Sequence, residues 1–114
     1  MSQRPRFGVD SLKIDLEAEA ERIGLRLKDY LIRTRRKGVV VALSGGIDSS
    51  VVAAVCVRVL GPDRVFGIHM PERDSSVETI RFSRSVSDAL GIESVLENIS
   101  PALDALGCYS RRDD

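Results

Sequence analysis

Tryptophan is absent from this 114-residue chain, histidine occurs once, and cysteine twice. Two cysteines cannot build a disulfide framework, so the fold must rest on a core rather than on covalent staples. Cys56 lies in an apolar run and reads as a small buried hydrophobe, while Cys108, beside Gly107, is placed at the surface. Both are expected to be free thiols, which fits a cytoplasmic protein. Net charge is missing as well: seventeen Lys and Arg cancel seventeen Asp and Glu, which removes general nucleic-acid coating as a dominant role. No stretch approaches the roughly 18 apolar residues of a membrane span. The opening Met-Ser-Gln-Arg-Pro-Arg is followed by no apolar core of signal-peptide length. Repeats and low-complexity tracts are also absent. What remains is 43% hydrophobic content, enough for one globular domain with its own core.

The organising stretch is Val39-Val40-Val41-Ala42-Leu43 followed by Ser44-Gly45-Gly46-Ile47-Asp48-Ser49-Ser50. An apolar, β-branched run between glycines reads as a parallel strand covered on both faces, over residues 39–43. Upstream, residues 1–14 are expected to lie extended. Asp15 is an acceptable N-cap for a helix whose apolar positions are Leu16, Ala20, Ile23, Leu27, Tyr30 and Leu31, with Glu17 and Glu19 in its first turn. Arg33, Arg35, Arg36 and Lys37 close that helix as a solvated basic end, which needs no functional explanation.

After the glycine turn, Val51 to Leu60 contains five valines, and propensity alone would make it a strand. It lacks period-two alternation, exceeds ordinary strand length and stops at Gly61-Pro62, the signature of a helix end. A helix apolar nearly all round implies burial beneath other elements. A second strand is predicted over residues 65–69, ending at His69, which reads as a packed or surface side chain rather than a catalytic base. Ser75 and Glu78 form a capping box for a third helix with Val77, Ile80, Phe82, Val86, Ala89 and Leu90 inward, ending at Gly91. A third strand follows over residues 94–98. Ser100 as N-cap and Pro101 then start a short helix with Leu103 and Leu106 inward.

Strand, helix, strand, helix, strand, helix at this spacing predicts an α/β fold: a Rossmann-like parallel sheet with flanking helices and right-handed crossovers. Ligands on such sheets bind beyond the carboxyl ends of the strands. That rule brings the Ser44–Ser50 turn together with the His69–Ser76 loop. The turn matches neither the Gly-x-Gly-x-x-Gly dinucleotide fingerprint nor the Gly-Lys-Ser/Thr of a Walker loop. Its glycines free the backbone, and a helix start behind it offers amide N–H groups and a positive dipole end to an anion. Asp48 would repel phosphate unless a magnesium ion lay between them. The ordinary alternative is a serine-glycine turn in which Asp48 only caps the helix.

Ser44-Gly45-Gly46-Ile47-Asp48-Ser49 resembles the pyrophosphate loop of the ATP pyrophosphatases, whose fold is adenine nucleotide alpha hydrolase-like. Within that superfamily the chain looks most like ammonia-dependent NAD synthetases, through the Ser49-Ser50-Val51-Val52-Ala53-Ala54 helix and through Met70-Pro71 with Ser75-Ser76. The resemblance runs over roughly residues 14–107. It implies ATP-, Mg²⁺-dependent amidation of deamido-NAD by ammonia through an acyl adenylate. It also implies that Ser44, Gly45, Gly46, Ile47, Asp48, Ser49 and Ser50 bind the ATP phosphates, that Asp48 is the magnesium ligand, and that the backbone at Met70 borders the adenine. No catalytic residue is assigned, and Arg73 is noted as a side chain within reach of phosphate or substrate. A homodimer is implied, with no membrane or nucleic-acid partner.

By the same resemblance, residues 15–114 form the N-terminal part of a synthetase domain, the sheet is incomplete, and no glutaminase domain precedes it. Two alternatives share the loop: another ATP pyrophosphatase, such as a tRNA-thiolating or amidotransferring enzyme, and a non-catalytic nucleotide-binding module.

Overall fold

A computed structural model describes residues 6–114. The expected extended N-terminal segment is partly replaced by a 3-10 turn at Val9–Leu12, because Ser11 Oγ accepts the Gly8 N–H at 2.9 Å and offers the backbone a local alternative to extension. Residues 1–5 of that segment lie outside the described residues.

Helix α1 (Leu16–Arg33) begins as the sequence predicts, with the Asp15 carboxylate accepting the Ala18 N–H at 3.1 Å. Its inward stripe is narrower than its periodicity promises. Gly24 and Leu31 are buried and Leu27 half-buried, whereas Leu16, Ile23 and Tyr30 are exposed. The reason is that, among the described residues, α1 packs mainly against one element, helix α2 (Ile47–Leu60). Gly24 makes the approach close, since a Cβ there would stand 2.3 Å from Val59 Cγ2. An Arg58–Glu17 ion pair bridges the same two helices at the surface.

Strands β1 (Val39–Ala42), β2 (Val65–His69) and β3 (Glu93–Leu96) form one parallel sheet in the order β1-β2-β3, with Val39 opposite Val65 and Phe66 opposite Glu93. The valine-rich run is helical, and Gly61 terminates it at φ +83°. Helix α3 (Val77–Leu90) makes the second crossover and ends at Gly91 in the left-handed region. The core consists of Leu31, Val41, Leu43, Ala53, Cys56, Leu60, Val65 and Ile92.

Several expectations are corrected here. Among the described residues the sheet is covered on one face only: Val41 is buried but Val40 is 68% exposed, and Phe66 and Val95 share its open side. Right-handed crossovers in strand order 1-2-3 put α2 and α3 on the same side, leaving the other bare. For the same reason α2 is not buried all round, and Val51 and Val52 face solvent. The α3 cap is Ser76, whose Oγ accepts the Thr79 N–H at 3.1 Å, while Ser75 Oγ accepts from Glu72 N instead. Val77, Phe82 and Ala89 point outward; the residues that α3 buries are Ser83 and Ser87.

Strand β3 is shorter than predicted, yet Glu97 N donates to His69 O at 2.7 Å and Ile99 N to Pro71 O at 3.0 Å, so the pairing runs on irregularly past its end. Helix α4 (Ser100–Ala105) has Ile99, one position earlier than expected, as its N-cap, without a side-chain cap bond; Asn98 Oδ1, two residues before Ser100, accepts the Ser100 N–H, and Leu106 is exposed. Helix α5 (Cys108–Asp113), after Gly107 at φ +74°, was not anticipated.

Candidate functional site

The Ser44–Ser50 turn leaves the carboxyl end of β1 and enters α2 with no intervening linker. Leu43, buried at 4% exposure, ties it to the sheet by donating its N–H to Ile68 O at 2.9 Å. Of the two glycines only Gly45 uses its freedom, at φ +82°. It also has no room for a side chain, because a Cβ would meet the Thr79 carbonyl oxygen at 2.6 Å. Gly46 is the N-cap of α2 at φ −85° and needs no special conformation; a Cβ there would touch only Ser44 Oγ, at 3.3 Å.

The serines wire the turn internally. Ser49 Oγ accepts the Ser44 N–H at 3.1 Å and meets Ser44 Oγ at 3.0 Å, Ser44 Oγ accepts the Gly46 N–H at 3.2 Å, and Ser50 Oγ donates to Gly46 O at 2.7 Å. Gly46 has no side chain with which to cap, so the amides of Ile47, Asp48 and Ser49, at the first helical positions, have no intrahelical acceptor. They face the mouth of the turn with the positive end of the α2 dipole behind them. Asp48 stands one residue inside the helix rather than at its cap, and among the described residues its carboxylate is free at the surface. The capping alternative is therefore not how this turn is built. Open amides beside a free carboxylate suit an anion with a cation between the two.

The second loop, Met70–Ser76, leaves β2 alongside. Met70 is 42% exposed at its start. Beyond it the loop is held by α5: Tyr109, buried at 7% exposure, donates its hydroxyl to Glu72 Oε2 at 2.8 Å and accepts the Arg73 N–H at 3.2 Å. Glu72 Oε1 in turn accepts the Asp74 N–H at 3.0 Å. The Arg73 guanidinium lies over the Tyr109 ring at 4.0 Å and pairs with Asp113 at 3.1 Å, so it is occupied within this clasp. Arg112 meets Asp74 at 2.5 Å, and these cations hold the Asp74 and Asp113 carboxyls below the usual range. The sequence offered no signal for the clasp, since Tyr109 lies 36 residues beyond Arg73.

Beneath both loops sit the buried polar side chains of the described residues: His69, Ser83 and Ser87. His69 Nδ1 meets Ser83 Oγ at 2.9 Å, and Ser87 Oγ stands 3.5 Å from Nε2. Burial, with the Arg84 charge adding to it and Asp88 opposing, lowers the imidazole below its ordinary value. Serines at i and i+4 on the covered face of α3 were the available signal for this cluster.

A groove of about 850 Å³ lies at the opposite end of the sheet, lined by Arg36, Lys37, Pro62, Arg64 and Phe66. It is mixed in charge, with Asp63 and Glu93 on its walls and Arg64 Nε already donating to the Lys37 carbonyl. No group of three or more metal-ligating His, Cys, Asp or Glu side chains occurs among the described residues.

The family model described as NAD synthase matches residues 19–112. The chain belongs to the NAD synthase family. Among curated relatives it is similar to the NH(3)-dependent NAD(+) synthetase of Rhizobium meliloti (strain 1021), with 51% identity over 107 residues, 94% of this chain and 32% of the relative. The enzyme of the same name from Mesorhizobium japonicum is 53% identical over 102 residues, 89% of this chain and 32% of the relative. Among solved structures, the NH3-dependent NAD synthetase from Campylobacter jejuni in complex with the nitrate ion superposes with a TM-score of 0.74 at 30% identity, over 82% of this chain and 40% of that one. The chain thus spans about a third of the length of the curated NAD synthetases it matches. The parallel sheet and its flanking helices belong to that family's fold.

Proposed function

We propose that this chain supplies the ATP-binding part of an NH3-dependent NAD synthetase. The single observation that carries this reading is the row of free amides at Ile47, Asp48 and Ser49 beside an unpaired Asp48 carboxylate, at the carboxyl end of a parallel strand. Family membership supports it. The reaction is the amidation of deamido-NAD: its carboxylate attacks the α-phosphorus of ATP, pyrophosphate leaves, and ammonia displaces AMP from the acyl adenylate to give NAD.

In this reading the open amides of Ile47, Asp48 and Ser49 bind the ATP phosphates, Ser44, Gly45, Gly46 and Ser50 line the cradle that their own hydrogen bonds shape, and the backbone at Met70 borders the adenine. Asp48 would hold a magnesium ion, which is ordinarily bound by one or two carboxylates together with substrate phosphate and so requires no cluster of protein ligands. The ion supplies charge neutralisation between the triphosphate and the anionic acceptor. The amide cradle and the α2 dipole stabilise the departing pyrophosphate, and the rate comes from position rather than from a covalent protein nucleophile. Arg73, held by Tyr109 and Asp113, contributes by fixing its loop. The whole enzyme in this reading is a cytoplasmic homodimer; the two free thiols, Cys56 and Cys108, suit a reducing compartment.

The test is AMP and pyrophosphate release from ATP with deamido-NAD and ammonia across a magnesium titration, run on the whole synthetase that contains this chain and comparing the parent enzyme with Asp48→Asn. The substitution removes one negative charge while keeping shape, so folding is unchanged and turnover falls by about two orders of magnitude or more. Parental turnover at every magnesium concentration would remove Asp48 from the metal site. Pyrophosphate release with a tRNA acceptor in place of deamido-NAD, or ATP binding without any release, would favour the superfamily alternatives.

A further inference from the structure

The phosphate turn does not rest on its own strand alone. Gly45 is seated on the Thr79–Ser83 turn of α3, where a Cβ would stand 2.6 Å from the Thr79 carbonyl oxygen, 3.4 Å from Phe82 Cβ and 3.4 Å from Ser83 N. That same turn is fixed to the neighbouring strand by His69, at the end of β2. Ser83 Oγ donates its proton to Ile80 O at 2.9 Å, so the lone pairs facing His69 Nδ1 at 2.9 Å must accept, and Nδ1 carries the hydrogen. Ser87 Oγ likewise donates to Arg84 O, leaving long 3.5 Å contacts with Nε2 and with Ser94 Oγ. The His69–Ser83 bond is therefore the short polar tie between β2 and α3, at the height where Gly45 sits. A buried bond of this kind fixes one distance where apolar side chains would tolerate a range, because an unpaired N–H or hydroxyl is costly.

We infer that His69 is a positioning residue for the Ser44–Ser50 turn, setting through Ser83 the height of the α3 surface on which Gly45 rests. The inference deepens the ATP-site reading and rests on it for its effect on the nucleotide, but its structural part stands independently.

The experiment measures amide exchange by NMR on the 114-residue chain, with ATP·Mg²⁺ titrated calorimetrically, for the parent, His69→Leu, His69→Asn and Ser83→Ala. Leucine fills the space without a donor, and asparagine restores a donor near Nδ1. The Ser44 and Gly46 amides, which the turn's serines protect, exchange about tenfold faster in His69→Leu and Ser83→Ala, while Ala53 and Cys56 in the core are unchanged. His69→Asn recovers most of the protection. ATP·Mg²⁺ affinity follows the same order, falling about ten- to a hundredfold in His69→Leu. Unchanged exchange at Ser44 and Gly46, or faster exchange shared equally by the core, would overturn the inference. A parent chain that binds no ATP·Mg²⁺ would instead sink the nucleotide reading, with the exchange result still deciding the role of His69.

Discussion

Burial holds the His69 imidazole below its ordinary value near 6.5, with the Arg84 charge pushing the same way. The unfolded chain therefore takes up this proton first as pH falls. The stabilisation from neutral His69 is complete above about pH 6.5 and is lost as pH drops from there through the lower folded value. Urea melts between about pH 8 and about pH 5 should show stability declining in that window, with the decline reduced in His69→Asn. A slope identical in parent and variant would contradict it. The carboxylates whose pKa is lowered, Glu17, Asp74 and Asp113, are exposed and titrate at more acid pH, so they do not confuse the comparison. The sequence left His69 as a packed or surface side chain, and the structure buries it. What the sequence concealed was the partner, because Ser83 and Ser87 sit among apolar positions of α3 that periodicity favours for the inward face. For Asp48 the sequence offered two places, at a metal or at a helix cap, and the structure puts it one residue inside the helix rather than at the cap.

The elements around the turn were read largely correctly because their signals are local. Gly61-Pro62 stops α2, Asp15 caps α1, and both are found where predicted. Inward faces were read less well, since which part of an apolar stripe is covered depends on the partner that packs there. Leu16, Ile23 and Tyr30 of α1 and Val77 and Phe82 of α3 are exposed for that reason. Helix α5 and its Tyr109 clasp depend on contacts far apart in sequence and left no pattern to read.

The two glycines of the turn make a direct comparison at this scale. Gly45→Ala forces a left-handed φ on alanine and drives its Cβ against backbone, so it should cost about 1–3 kcal/mol or more of stability. Gly46→Ala is conformationally allowed and should cost at most about 1 kcal/mol as a poorer cap, yet weaken ATP binding through the methyl group in the mouth of the turn. Thermal melts with nucleotide titration check both, and equal destabilisation by the two substitutions would refute the distinction.

At the scale of the whole molecule the dominant feature is the uncovered sheet face. Parallel sheets are ordinarily covered on both sides, and here Val40, Phe66 and Val95 are open to solvent. Sequence composition described the strand as doubly buried, but only the topology says which faces the crossovers reach. An apolar face of this kind should make the chain self-associate: sedimentation velocity should show a weight-average mass rising with concentration, and Val40→Lys with Phe66→Lys should suppress the rise. A parent that stays monomeric across the range would count against it. The two ends of the same sheet also compete as ligand sites, one with free helix amides at Ile47, Asp48 and Ser49, the other with the groove at Arg36, Lys37 and Arg64. Backbone amide shifts recorded while ATP·Mg²⁺ is titrated into the chain decide between them. Shifts concentrated at Gly45–Ser50 and Met70 are the predicted result; shifts confined to Arg36–Val39 and Asp63–Val65 would contradict the assignment of the site.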